Sequence, residues 1–236
     1  MLNFACQENL LEIVKDIMKN KNMDVNQKIE DSQSRQKMSS FHLACHLGHL
    51  EIVKVMMENE DVDLNVESNY GQTPLYSVCA KGRVDIVDLL LRSQRVDVNI
   101  PEQDGITPFW ISCYHGRLEV VKILMNNEII DINKEDKDGR TPFYAACIAD
   151  GNGWEVAKLL LSNERVDIHR TKKDGTSPFK NAITLGRSQV VKVLLESDIP
   201  VGMNPGLLHL QKKKARKKSL QSWKDIFNFI LIISNP

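Results

Sequence analysis

Cys45, Cys79, Cys113 and Cys147 follow one another at steps of 34 residues. Each lies inside a near-copy of one pattern, as in "YGQTPLYSVCAKGRVDIVDLLL", "DGITPFWISCYHGRLEVVKILM" and "DGRTPFYAACIADGNGWEVAKLLL". A fixed period of this length commits the chain to an array of small units, because one unit is too short to bury a core alone and must be covered by its neighbours. Thr73-Pro74, Thr107-Pro108, Thr141-Pro142 and Ser177-Pro178 keep the same phase, with Ser39-Ser40 ahead of them and two added residues inside Asp150–Gly153. "FACQENLLEIVKDIM" aligns without a gap on "LACHLGHLEIVKVMM". The period predicts about six units: an incomplete N-terminal capping repeat over 1–38, repeats over 39–72, 73–106, 107–140 and 141–176, a C-terminal repeat over 177–206, and a tail over 207–236.

The chemistry of one unit is readable in the fourth. Thr107 is suited to cap a helix, its hydroxyl accepting from a free backbone N–H. Pro108 follows at the first helical position, where a missing N–H costs nothing. Phe109, Ile111, Ser112 and Cys113 give a short apolar helix, and Gly116 stops it in the left-handed conformation. A second helix runs through Leu118, Val120, Val121, Ile123, Leu124 and Met125, too apolar to face water on more than one side. "EIIDINKEDKDG" then supplies turn chemistry ending in Asp138-Gly139.

Thr73-Pro74-Leu75, Cys79, Gly82, then Ile86-Val87 and Leu89-Leu90-Leu91, then Val96-Asp97-Val98-Asn99 and Asp104-Gly105, resemble the ankyrin repeat. The resemblance covers roughly residues 4–203. It implies an all-α solenoid of stacked helix-turn-helix units with hairpin-like loops. The period here is one residue longer than the family's usual one. The family's Thr-Pro-Leu-His keeps its histidine only at His42; Tyr76, Trp110, Tyr144 and Lys180 hold the place elsewhere, where an aromatic ladder is expected.

The cysteine row reads as small buried hydrophobes. Neighbouring helices pack about 8–10 Å apart, and a disulfide needs Cα atoms within about 7 Å. "HLACHLGH" offers His42 and His46 four residues apart beside Cys45, yet no clustered source supplies the other ligands a metal needs, so no metal is expected. No catalytic triad order, phosphate-binding glycine loop or carboxylate pair stands out, so no catalytic residue, no cofactor and no enzymatic activity are expected. Polar outer faces are expected on the terminal repeats, from Asp16 in the first unit and from Lys180, Ser188 and Gln189 in the last.

Formal net charge is zero, but Lys212, Lys213, Lys214, Arg216, Lys217, Lys218 and Lys224 stand against Asp225 alone in residues 207–236. The preceding chain is therefore acidic. The six cations between Lys212 and Lys218 read as a solvated tail, a nuclear-import signal, or an anionic membrane or nucleic-acid contact. The apolar "IFNFILII" after them is far too short to span a bilayer, which takes about 20 residues. An odd number of cysteines and no secretory leader suggest reduced thiols in an intracellular protein, cytoplasmic or nuclear.

Solenoids bind partners on an extended concave surface. By resemblance, the contacting positions are the hairpin tips and the residues before each first-helix glycine: His46 and Leu47; Asn69, Tyr70, Gln72 and Lys81; Gln103, Asp104 and Ile106; Tyr114 and His115; Lys137, Asp138 and Arg140; and Lys173. These vary in type while the core positions repeat. The expected function is a monomeric, non-catalytic scaffold or adaptor that binds a protein partner. Two alternatives are a nuclear or nucleic-acid-associated regulator using residues 212–218, with nucleic acid the less expected ligand, and an ankyrin fragment of a larger signalling or enzyme chain.

Overall fold

A computed structural model describes residues 1–20, 23–30 and 36–197. The fold is all-α, as the resemblance implies. Its helices come in pairs: α1 (Leu2–Gln7) with α2 (Leu11–Met18), α3 (Ser40–Leu47) with α4 (Leu50–Met57), α5 (Pro74–Lys81) with α6 (Val84–Leu91), α7 (Pro108–Tyr114) with α8 (Leu118–Met125), α9 (Pro142–Ile148) with α10 (Gly153–Leu161), and α11 (Pro178–Thr184) with α12 (Ser188–Glu196). One short antiparallel pair, β1 (Ile29–Glu30) and β2 (Lys37–Met38), was not foreseen.

The helix starts follow the cap chemistry. Ser39, Thr73, Thr107, Thr141 and Ser177 each accept through their side-chain oxygen from the backbone N–H three residues on, at 3.1–3.2 Å. α3 and α5 end on Gly48 and Gly82 at positive φ, the conformation glycine adopts without a Cβ clash. In the first pair Asn9 takes that conformation instead (φ 55°).

The chain packs as two units. The first comprises residues 1–112 and 119–131. In it α3 stacks on α1 and α5, and α4 on α2 and α6. Phe41, Ile52, Val53, Met56, Leu75, Val87 and Leu90 form its interior, with Cys6, Cys45 and Cys79 at 0% exposure. The expected polar face of the first repeat is only half present. Asp16 is exposed, but Ile13 is 45% exposed where Ile52, Ile86, Val120, Val156 and Val190 are 3% or less. Among the described residues, no repeat covers α2 on that side.

The second unit comprises residues 113–118 and the chain from 132 onward. Here α9 packs on α10 and α11, and α12 on α10 and α11. Phe143, Tyr144, Val156, Leu160, Ala182 and Leu194 are buried, with Cys147 at 0% exposure and Ile183 in the place of a cysteine. Lys180, Ser188 and Gln189 are exposed, as expected of a terminal repeat. The inserted "DGNG" replaces the glycine stop of α9. Arg187 closes that end, its Nε donating to the Ile148 carbonyl (2.9 Å) and its guanidinium pairing with Asp150.

Candidate functional site

The hairpin tips share one backbone design with different side chains. In the first unit, the N–H of Ser68 donates to the Gln72 carbonyl (2.8 Å) and that of Glu102 to the Ile106 carbonyl (2.9 Å). In the second, Asp136 donates to Arg140 and Lys172 to Thr176, both at 3.1 Å. A side-chain acceptor inside the tip stiffens all four, and in the last of them Asp174 Oδ1 takes the N–H of Thr176 (2.9 Å). Ser68 Oγ takes the N–H groups of Tyr70 and Gln72, Glu102 Oε1 those of Asp104 and Ile106, and Asp136 Oδ1 those of Asp138 and Arg140. Sequence reasoning missed these acceptors. Their signal was a polar residue three places after each of Asn65, Asn99 and Asn133, but its type changes from unit to unit.

The expected contact residues of the first unit are all outside the core. Asn69, Tyr70, Lys81, Gln103 and Asp104 are exposed, and His46, Leu47, Gln72 and Ile106 are partly so. Some also serve the scaffold. Gln72 Oε1 accepts from Gln36 Nε2 (2.8 Å), Asn69 Oδ1 from the Lys37 N–H (2.9 Å), and Gln103 Nε2 donates to the Asn69 carbonyl (3.0 Å). Tyr70 presents its ring to solvent from a tip whose backbone is held on both sides.

In the second unit Tyr114, His115, Lys137, Asp138 and Lys173 are exposed and Arg140 is half-buried. The Tyr114 and His115 rings meet edge to face with centroids 5.3 Å apart, which favours one joint orientation. Arg140 is held by Asp136 (Nε to Oδ2, 2.6 Å) and Asp138 (3.2 Å), so it braces its own turn. The Lys173 N–H donates to the Asp138 carbonyl (2.9 Å), tying successive tips together.

His42, the residue suspected of metal binding, lies in the first unit's interior with Nε2 2.7 Å from Ser77 Oγ. Burial, with the nearby His46 second, holds its pKa down at about 3. Burial pushes the Cys45, Cys79 and Cys147 thiols far up, and Cys6 up to about 12, so none is poised as a nucleophile. Tyr76, Trp110 and Tyr144 are buried, filling the family's histidine place with aromatic volume. Burial, with Asp174 next in weight, raises the Tyr144 hydroxyl to about 12. Lys212, Lys213, Lys214, Arg216, Lys217 and Lys218 lie outside the described residues. Among the described residues, no helix is long and apolar enough to cross a membrane.

The chain is similar to the crystal structure of EF0377, an ankyrin repeat protein, with a TM-score of 0.70 and 21% identity, over 82% of this chain and 95% of that one. No curated protein matches it. The family model described as ankyrin repeats (3 copies) matches residues 2–102, 91–172 and 129–205. Those spans take in every capped helix pair and every tip described above, and the chain therefore belongs to the ankyrin-repeat family.

Proposed function

We propose that this chain is an intracellular, non-catalytic scaffold or adaptor that grips a protein partner with its hairpin tips and the exposed ends of its first helices. Ankyrin repeats are generally protein–protein interaction modules and typically non-catalytic. The observation that carries the finer reading is the contrast at the tips. Equivalent places hold Asn69, Gln103, Lys137 and Lys173, then Tyr70, Asp104, Asp138 and Asp174, all exposed and varied, on backbones bonded in the same way. A rigid frame with solvent-exposed side chains binds without a large ordering cost. Exposed Tyr70 and Tyr114 have the aromatic character of energetic anchors.

The test is affinity capture from cells of the source, read by mass spectrometry. Wild type is compared with Tyr70→Ala/Asp104→Ala in the first unit and Tyr114→Ala/His115→Ala in the second. A protein that is retained by wild type and lost from either folded variant supports the tip reading. A catch unchanged by both variants refutes it and turns attention to residues 207–236.

A further inference from the structure

The second unit's tips carry a charge pattern that selects a class of partner. Their carboxylates each have a cationic partner within the unit. Glu135 pairs with Arg170 (2.7 Å), Asp136 and Asp138 with Arg140 (2.6 and 3.2 Å), and Asp174 with Lys172 (2.7 Å). Lys137, Lys173 and Lys180 are exposed and have no carboxylate partner among the described residues. The three lie on successive segments of this unit. Lys137 and Lys173 hold the same place in successive tips, and the Lys173 stem runs so close to Gly139 that a Cβ there would be 3.3 Å from Lys173 Cγ. Lys180 sits in the first turn of α11, just past the 172–176 tip.

A solvated lysine needs no explanation, and Lys81, Lys134 and Lys158 are exposed without an ion pair among the described residues as well, but several other lysines are paired. On the second helices Lys15, Lys54 and Lys122 each reach a glutamate three residues back at 2.7 Å. The first unit has Asn69 and Gln103 at the tip positions and buried His42 and Tyr76 at the helix position, so its equivalents of the lysines are uncharged. Cations left unpaired side by side repel one another, and an anionic ligand relieves that repulsion.

We propose that the second unit's tips bind an acidic segment of a partner polypeptide, with its carboxylates seated on Lys137, Lys173 and Lys180; this rests on the reading of the tips as the binding face. Asp138 and Asp174 alternate with these lysines and are 65% and 56% exposed in their side chains. A continuous phosphate backbone would run across both carboxylates, whereas a peptide can place its acids between them.

The experiment measures fluorescence anisotropy of a labelled glutamate-rich peptide on the full chain, with the six cations between Lys212 and Lys218 replaced by glutamine so that the tail contributes nothing. A glutamine version of the peptide and a single-stranded oligonucleotide of equal charge are run beside it. The expected result is binding of the acidic peptide alone, weakened by rising salt. Lys137→Glu/Lys173→Glu/Lys180→Glu weakens it on the order of tenfold or more, while Lys158→Glu, at an exposed site on α10, leaves it unchanged. Lys173→Gln supplies a milder variant should the triple reversal fail to fold. Equal loss in the triple variant and Lys158→Glu overturns the proposal. So does oligonucleotide binding as tight as the peptide's, or binding indifferent to Lys173→Gln and the triple variant alike. A captured partner lost from Tyr114→Ala/His115→Ala but insensitive to the lysine reversals would leave the tip reading standing and remove only the acidic partner.

Discussion

Asn65 holds the loop around Asp97 from two sides: its Oδ1 accepts from the Asp97 N–H (2.8 Å) and its Nδ2 donates to the Arg95 carbonyl (2.7 Å). The arrangement repeats in the first unit, where Asn26 bonds Asp61 and Asp63 and Asn99 bonds Ile129 and Asp131. In the second unit Asn133 bonds Arg165 and Asp167 in the same way. Asp63 and Asp97 in turn accept from the N–H of Asn65 and Asn99, which aims each amide along the stack. The asparagine two places after the loop aspartate (Asn26, Asn65, Asn99 and Asn133) is thus the latch to the next repeat.

Removing a latch should loosen one interface of the array. Asn65→Ala deletes two inter-repeat hydrogen bonds in a partly exposed loop, so a loss of about 1–2 kcal/mol is expected. His169 ends the series, and among the described residues its one bond is from its backbone N–H to Asp167 Oδ1 (3.1 Å). His169→Ala should therefore stay within about 0.5 kcal/mol of wild type. Urea unfolding followed by far-UV circular dichroism distinguishes the two, and equal midpoints for them would show that the latch carries no stability.

These latches mark the limit of what the sequence shows. Thr107, Pro108 and Gly116 act within a few residues of one another, so the caps and the helix pairing are legible from spacing. The cysteine row is legible because the period repeats it. Asn65 and Asp97 lie 32 residues apart, and nothing in Val62-Asp63-Leu64-Asn65 says which backbone its amide will meet. Ser68, Glu102 and Asp136 do one job with three chemistries, which hides them from pattern reading. Arg140 is among the contact positions the resemblance implies, and Asp136, at hydrogen-bond distance, also engages it internally. Arg187 closing α9 was equally hidden, since its carbonyl partner Ile148 is 39 residues away.

Gly153 tests the inserted turn. A Cβ there would lie 2.5 Å from Ala149 Cβ and 2.7 Å from the Ala146 carbonyl oxygen. Neither neighbour is a flexible side-chain end, so α10 would have to move away from α9. Gly153→Ala should cost about 1–3 kcal/mol by overpacking, despite alanine's better helix propensity. Gly151→Ala has open space but a φ of +61°, so its cost is conformational only and smaller. Thermal melts of the two variants should rank Gly153→Ala below Gly151→Ala; the reverse order would mean that the close approach is absent in solution.

The cysteine row gives a chemical test. Cys6, Cys45, Cys79, Cys113 and Cys147 are all buried and unbridged. In native buffer at mildly alkaline pH, a colorimetric disulfide reagent should label essentially none of them; in denaturant it should label all five. Cys147→Ala removes little more than a sulfur, at about 1–2 kcal/mol. Cys147→Asp places an unpaired carboxylate at a position with 0% exposure and should cost several kcal/mol. Rapid labelling of native protein, or a Cys147→Asp melt like that of Cys147→Ala, would contradict a buried row.

His42 makes stability depend on pH. Its folded pKa is depressed from 6.5 to about 3 by burial, with His46 adding to the effect. Above pH 6.5 the imidazole is neutral in both states and contributes no pH dependence. Between 6.5 and about 3 the unfolded chain binds a proton that the folded chain refuses, so stability falls with falling pH at up to about 1.4 kcal/mol per unit. Below about pH 3 both forms are protonated and this contribution levels off. Asp174, held at about 2 chiefly by Lys172 and Thr176, begins to matter only near pH 4 and below. The window from pH 6.5 to 4.5 therefore isolates histidine. His42→Gln keeps a polar group facing Ser77 without a titrating ring, and its unfolding free energy should slope less across that window than wild type's. Parallel slopes for the two proteins would mean that His42 does not stay neutral in the folded array.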